Sequence, residues 1–523
     1  MRSPLTVVMI SVFVVLSAPA QTTTALLDTV QHSSFNYFWY EANSSNGLIK
    51  DRNTSGSPCS IASVGFGLSS ICIAVDHGWI TREAARDRVV TTLRTFWEKP
   101  QGVGASGFIG YKGLFYHFLD MNSATRTWES ELSTIDTGLL FAGILDAKQY
   151  FTGNDSVETQ IRALADSIYY RADWEFMRNG NAGILMGWKP GTEFSGYGQW
   201  IGYNEAMILY ILALGSPTHP VGSNAWQQWT TGYRWQTMYG QSYLIFAPLF
   251  GHQYTHCWVD FRNIRDGFMQ NAQSTYFETS RRATLAQRTY SIANPGHWMG
   301  YSDSLWGLTA GDGPNGYIAR GAPPAQNDDG TISPTAPVSS LPFAPEVVIP
   351  TIRNMWNAYR SQLWVTYGFR DAFNLIRNWW GPDVIGIDAG PMVMMIENYR
   401  TQAVWNRFMQ NADIQRGLLR AGSSPIVSVD GVNQLPMDFA LEQNYPNPFN
   451  PTTRLSFVVG RSSYVSLKIF DLLGRVVATL VSETKPAGRY NVEWDAADVT
   501  SGVYFYRFTA GSFTQTRKMI LAK

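Results

Sequence analysis

The chain has 523 residues, with 40 Lys plus Arg against 40 Asp plus Glu, a net charge of +0 and a pI near 7.1. No basic excess is available to neutralise a phosphate backbone, and no Lys/Arg run suits a membrane surface, so composition argues against a nucleic-acid partner. Charged residues make up 15% of the chain, against about 25% in typical soluble domains. Aromatics make up 14%, including 19 Trp. Such rings fill large cores, and their flat apolar faces with polar edges also suit the C–H faces of sugars.

The start fits an export signal. Arg2 supplies a positive head, residues 5–16 are apolar but too short to span a bilayer, and Ala18-Pro19-Ala20 fits the small-x-small cleavage rule. Residues 1–20 are therefore expected to be a signal peptide. No later stretch reaches about 18 uninterrupted apolar residues, so no transmembrane helix is expected. Cys59, Cys72 and Cys257 are too few for a disulfide framework and wrongly spaced for zinc. One bridge, between Cys59 and Cys72, stays open.

Residues 26–421 read as helical. Thr81 can cap a helix running to Lys99 and stopped by Pro100, with Val89, Leu93 and Phe96 on one apolar face. Residues 132–151 form a second candidate helix. Residues 204–214 form a third, nearly all apolar and ending at Gly215, and a helix apolar all round is a buried one. Amphipathic helices alternating with apolar ones predict a two-layer toroid of helix pairs. The connections 102–120, 183–202 and 298–345 are long, and long ordered loops in a compact domain are usually functional.

Residues 422–436 read as a linker. Beyond them, over 437–523, apolar residues alternate: Leu455, Phe457, Val459; Val465, Leu467, Ile469; Tyr504, Tyr506, Phe508. That period-two pattern, with turns at Leu473-Gly474 and Ser501-Gly502, predicts a small β-sandwich. The tail carries Leu441-Glu442-Gln443-Asn444-Tyr445-Pro446-Asn447-Pro448-Phe449-Asn450-Pro451-Thr452-Thr453, then Trp494-Asp495 and Ser501-Gly502-Val503-Tyr504. It resembles the type A sorting domain of the type IX secretion system. The resemblance implies the secretion machinery as a partner, and a secreted or cell-surface location reached through the periplasm.

Glycoside hydrolysis needs two carboxyl groups flanking the scissile bond, one to protonate the leaving oxygen and one to activate water or attack. Glu131 is read as opening the 132–151 helix, with Asp136 about one and a half turns in. Glu205 opens the apolar 204–214 helix. First-turn acids of two inner helices would point to one rim. Acids in a first turn are also commonplace, because they complement the helix dipole. Glu131 and Glu205 are the leading catalytic pair, with Asp120 and Asp136 in reserve. His252, His256 and Asp260 stand at i, i+4 and i+8, but Gln253 occupies the position where a zincin carries Glu. No metal and no cofactor is expected, and neither G-x-S-x-G nor a P-loop is present.

The body resembles the glycoamylase-like family (glycoside hydrolase family 144 and relatives). The stretches that carry the likeness are Trp128-Glu129-Ser130-Glu131-Leu132-Ser133-Thr134-Ile135-Asp136-Thr137, Gly202-Tyr203-Asn204-Glu205-Ala206, and His256-Cys257-Trp258-Val259-Asp260-Phe261-Arg262. Asp303-Ser304-Leu305-Trp306-Gly307, Tyr367-Gly368-Phe369-Arg370-Asp371 and Gly386-Ile387-Asp388-Ala389-Gly390-Pro391 follow in the same order. The resemblance implies an (α/α)6 toroid and inverting cleavage of β-glucan, above all β-1,2-linked. Trp188, Trp200, His256, Asp260, Asp303, Trp306, Asp312 and Asp388 are the candidates for lining sugar subsites. Two rivals remain: an inactive surface glycan-binding protein on the same fold, and a transglycosylase.

Overall fold

A computed structural model describes residues 21–425 and 439–522, apart from 442, 445, 460–462, 486, 487 and 512. The expected signal peptide, and residues 426–436 of the expected linker, lie outside the described residues. The chain divides into two compact units, Met1–Ile426 and Val427–Lys523.

The first unit is helical. Helices α1 (Thr23–Tyr40), α2 (Ile61–Asp76), α3 (Arg82–Glu98), α4 (Thr134–Tyr150), α5 (Ser156–Tyr170) and α6 (Met207–Gly215) lead into it. Helices Tyr276–Ala293, Pro345–Leu363 and Gly386–Arg400 follow. Two kinds alternate. Helices α2, α4, α6 and Gly386–Arg400 are buried nearly all round, whereas α3 and α5 bury one stripe. The buried helices touch in sequence: α2 packs on α4, α4 on α6, and Gly386–Arg400 returns to pack on α2. Glycine makes the closest of these contacts. A Cβ on Gly65 of α2 would overlap the Leu139 carbonyl of α4, and one on Gly143 of α4 would overlap the Gly65 carbonyl. Between the helices lies an aromatic column in which Phe66 stacks on Trp258 at 4.9 Å and meets Tyr254 edge-on at 5.6 Å.

Local chemistry sets the helix ends. Thr81 caps α3 by accepting the Ala84 N–H, as its sequence predicts. Helix α4 starts later than the pattern suggests, because Ser133 is its cap and Leu132–Ser133 form a short strand with Gly187–Trp188. Glu131 therefore precedes the helix by three residues, and Asp136 sits in the first turn rather than further in. Helix α6 starts at Met207 because the Asn204 side chain instead closes a turn onto the Ala206 N–H at 3.0 Å. The long connections carry small hairpins such as Ala310–Gly311 with Ile318–Ala319. All three cysteines are buried thiols, so the Cys59–Cys72 bridge is not formed. No helix among the described residues is long and apolar enough to cross a membrane.

The second unit holds two antiparallel sheets. Ala440–Leu441, Thr452–Val459 and Gly488–Asp495 form one; Val476–Lys485, Ser463–Phe470, Gly502–Ala510 and Phe513–Leu521 form the other. Leu455, Phe457, Leu467, Ile469, Tyr506 and Phe508 meet between them in one core. Asn444 fastens the entry: its N–H donates to the Tyr506 hydroxyl, and its side-chain amide to Thr453 Oγ1 at 3.0 Å.

Candidate active site

The site is built where the buried helices begin. Asp136 lies in the first turn of α4, Glu205 just before α6, and Asp388 in the first turn of Gly386–Arg400. Tyr254 senses the charges of both Asp388 and Glu205, so the three helix starts converge on one region.

Glu205 is partly accessible, yet its Oε2 is shielded from solvent and has no hydrogen-bond partner in the protein. Burial raises its pKa to about 7, and the charge of Asp136 pushes the same way. That preference for the protonated form amounts to roughly 3 kcal/mol, more than the 0.3–1 kcal/mol that an exposed helix start offers an anion. Desolvation therefore wins.

Across from it stands a three-residue cluster. His117 Nδ1 lies 3.0 Å from Glu131 Oε1, and Nε2 lies 3.6 Å from Asp136 Oδ2. Asp136 also accepts the Ser133 hydroxyl at 2.5 Å. Burial opposes a charge on Glu131, but the His117 hydrogen bond and charge prevail and hold its carboxyl below the usual range.

A second acidic group adjoins the first, since Asp51 feels the charges of both His117 and Asp312. Arg52 reaches Asp312 at 3.0 Å and Asp51 and Asp383 at 3.3 Å. The Asp312 N–H donates to Asp371 Oδ2 at 2.6 Å. Asp371 and Asp388 lie side by side; burial raises both, Asp371 to about 7 and Asp388 well above the usual carboxylate range. Over them lies Tyr317, whose residue is 50% exposed while its hydroxyl senses Asp388, Asp371, Asp51 and Asp312. Arg320, fully buried, organises this hairpin. It donates to the carbonyls of Gly311 and Asp312 and pairs with Asp329 at 2.8 Å. It lies so close to Gly313 that a Cβ there would overlap its guanidinium. One proton-holding acid, one ionised acid and an exposed ring are groups able to move protons and to stack on a polyol.

The chain is similar to known proteins over most of its helical unit. The glycoamylase family model, described as "Putative glucoamylase", matches residues 197–412. A solved structure from Bacteroides uniformis, described in the same words, is 32% identical with a TM-score of 0.73, over 78% of this chain and 99% of that one. The chain belongs to the glycoamylase family. An endo-β-1,2-glucanase from Chitinophaga pinensis, solved with sophorotriose and glucose, is 27% identical with a TM-score of 0.71, over 77% of this chain and 99% of that one. A curated relative, the exo β-1,2-glucooligosaccharide sophorohydrolase (non-reducing end) of Parabacteroides distasonis, is 31% identical over 432 residues. The match takes in 76% of this chain and 58% of that relative's length. Residues 443–522 match the secretion system C-terminal sorting domain.

Within this glycoamylase-family body the structure brings together Glu131, Glu205, Asp136, Asp312 and Asp388. Other candidates fall elsewhere. Asp120 is exposed and folds its Oδ1 back onto the N–H groups of Asn122 and Ser123, closing its own turn. His252 and His256 stand on two separate 3-10 turns, not on one helix face. His256 is buried against Phe261 and Phe343, bonds Ser280 at 3.1 Å, and is driven down to about 3 by burial, as a core residue would be. Trp306 is fully buried, and Trp188 packs on Tyr111 at 5.2 Å in the core. Asp260 is held bidentately by Arg262, and Asp303 is exposed beside Arg288. Trp200, half-buried, donates its indole N–H to Thr134 Oγ1 at 3.0 Å, beside the start of α4.

Sequence reading passed over Asp51, Arg52, His117, Tyr317, Arg320 and Asp371. Signals existed for four of them. Lys50-Asp51-Arg52 is a run of charge in a charge-poor region, and Asp371 ends one of the stretches shared with the family. His117 stands in Tyr116-His117-Phe118-Leu119-Asp120, the segment that Asp120 ends.

Proposed function

We propose that the protein is an exported glycoside hydrolase that cleaves β-glucan, above all β-1,2-glucan, by inversion, with Glu205 as general acid and Glu131 as general base. The observation that carries this reading is the division between the two carboxyls. Glu205 keeps its proton to about pH 7, while Glu131, beside the His117 cation, gives its proton up. Opposed environments of this kind separate an acid from a base. Glu205 would donate its proton to the leaving glycosidic oxygen. Glu131, half-exposed, would take a proton from a water attacking the anomeric carbon on the opposite face. Asp136 keeps the Glu205 proton in place by its charge, and Asp312, Asp388 and Trp200 are the candidates to meet sugar hydroxyls.

The names of the glucanase relatives support the linkage, and the sequential contacts of the buried helices support a six-pair toroid over residues 26–421. The sorting match supports residues 437–523 as an address for type IX secretion, residues 422–436 as a linker and residues 1–20 as a leader removed in the periplasm.

Purified protein incubated with linear β-1,2-glucan, laminarin and starch tests the reading, with and without chelator. Shorter oligosaccharides from the β-1,2-glucan in both conditions are expected, and the first-formed reducing end should be the α anomer by proton NMR. No cleavage of any glucan would leave a glycan-binding protein. Products longer than the substrate would indicate transfer, and loss with chelator would overturn the metal-free chemistry.

A further inference from the structure

We propose that His117 is a positioning residue that ties Glu131 and Asp136 together through the two nitrogens of a single ring. The inference rests on the assignment of Glu131 as base.

The backbone holds the ring in place from two sides. The His117 N–H donates to the Glu131 carbonyl at 2.9 Å, and its own carbonyl accepts the Ile61 N–H at 3.2 Å, at the start of α2. The imidazole lies flat on Phe118, with centroids 3.9 Å apart and planes 16° apart. Nδ1 then faces Glu131 at 3.0 Å and Nε2 faces Asp136 at 3.6 Å. A neutral imidazole has one N–H and one bare nitrogen, whereas two facing carboxylates call for donors at both positions. The ring therefore belongs in its cationic form.

The surroundings agree. Burial works against the charge, yet Asp136, Glu131 and Asp51 together hold the ring's pKa up to about 9. Lys189 and Tyr197 face Glu131 from the loop after the Gly187–Trp188 strand, and Glu205 faces Asp136. Among these groups His117 is the cation that touches both acids. Its proton keeps Glu131 ionised while it partly screens Asp136 from Glu205. The same three side chains have metal-ligand spacing, but a metal would have to displace the proton from a ring whose nitrogens both already face carboxylates.

The test has two arms. In the full-length protein, the His117 ring resonance, assigned by its absence in His117→Gln, is titrated by NMR. It should keep its proton above pH 8, and Glu131→Gln and Asp136→Asn should each lower its pKa. A ring titrating at or below the ordinary value of about 6.5 overturns the proposal. In the second arm, the acidic limb of kcat/KM on β-1,2-glucan should move up by about one pH unit in His117→Gln, because Glu131 loses its neighbouring cation. A limb that stays in place while kcat falls also overturns it. If the wild-type protein cleaves no glucan, the catalytic assignment fails while the NMR arm still decides the role of His117. If His117→Gln does not fold, the two acid variants still decide it.

Discussion

Asp371 and Asp388 bring two buried carboxyls together from separate stretches of the chain, and Asp388 feels the charge of Asp371. Asp371 follows the Gly368–Phe369 strand, and Asp388 opens the last buried helix. Asp371 Oδ1 and Asp388 Oδ2 are both shielded and without a partner in the protein. Two carboxylates this close and this dry cannot both ionise cheaply, so the pair holds a proton. That arrangement trades stability for function. Both folded-state pKa values lie above those of the unfolded chain. The folded state then binds more protons between the two ranges, so stability is fullest below about pH 4 and falls as pH rises towards and past 7. Asp388→Asn removes the titration. Its melting temperature should exceed that of the wild type by about 2–4 °C at pH 8, with the gap closing towards pH 4. Equal melting temperatures at both pH values would show that the pair stores no such cost.

The parts of the site that sequence reveals are acids in apolar surroundings. Glu205 before nine apolar residues, and Asp136 and Asp388 in the first turns of apolar helices, declare themselves because nothing in a core explains an unpaired charge. The helical body and the β tail are legible for a similar reason, since period and turn chemistry act locally. Residues whose roles depend on long-range closure stay hidden. Arg52 meets Asp312 across 260 positions of chain, and Arg320 looks like any loop arginine until its hairpin closes around it. His256, Trp306 and Trp188 show the converse, since a residue type suited to sugar binding is equally suited to a core, and only burial separates the two.

A different buried charge holds the far side of the helical unit. Asp146 of α4 is fully buried and accepts two 2.7 Å bonds from Arg407, whose guanidinium also lies over the Tyr150 ring. Removing one partner strands the other without solvent. Asp146→Ala should cost about 3–5 kcal/mol, read from the denaturant midpoint. Replacing both partners with apolar residues of similar size should cost much less. A loss under 1 kcal/mol in the single variant would show that water reaches Arg407.

The two units have separate cores, one centred on the buried helices and one on the paired sheets. A chain ending before Val427 should therefore fold, melt close to the full-length body transition and keep its glucan turnover within about twofold. In a host with a type IX machinery it should accumulate in the periplasm. Surface delivery of the shortened chain would contradict the sorting role of the tail.

The acid assignment gives the sharpest pH prediction. Glu205 must carry its proton to act, so kcat/KM should decline as pH rises through about 7. Glu205→Gln removes the proton donor and should lower kcat/KM on β-1,2-glucan by about 10²–10⁴. A substrate with a nitrophenyl leaving group needs little help from an acid, so the same variant should lose much less on it. Asp136→Asn supplies the independent check. Its lost negative charge is one of the two influences that raise Glu205, so the basic limb should move to lower pH. Because burial, the larger influence, remains, the limb should stay above the ordinary glutamate value. A basic limb unmoved by Asp136→Asn, together with equal losses on both substrates in Glu205→Gln, would transfer the acid role to another carboxyl, with Asp371 next in line because its pKa is also raised to about 7.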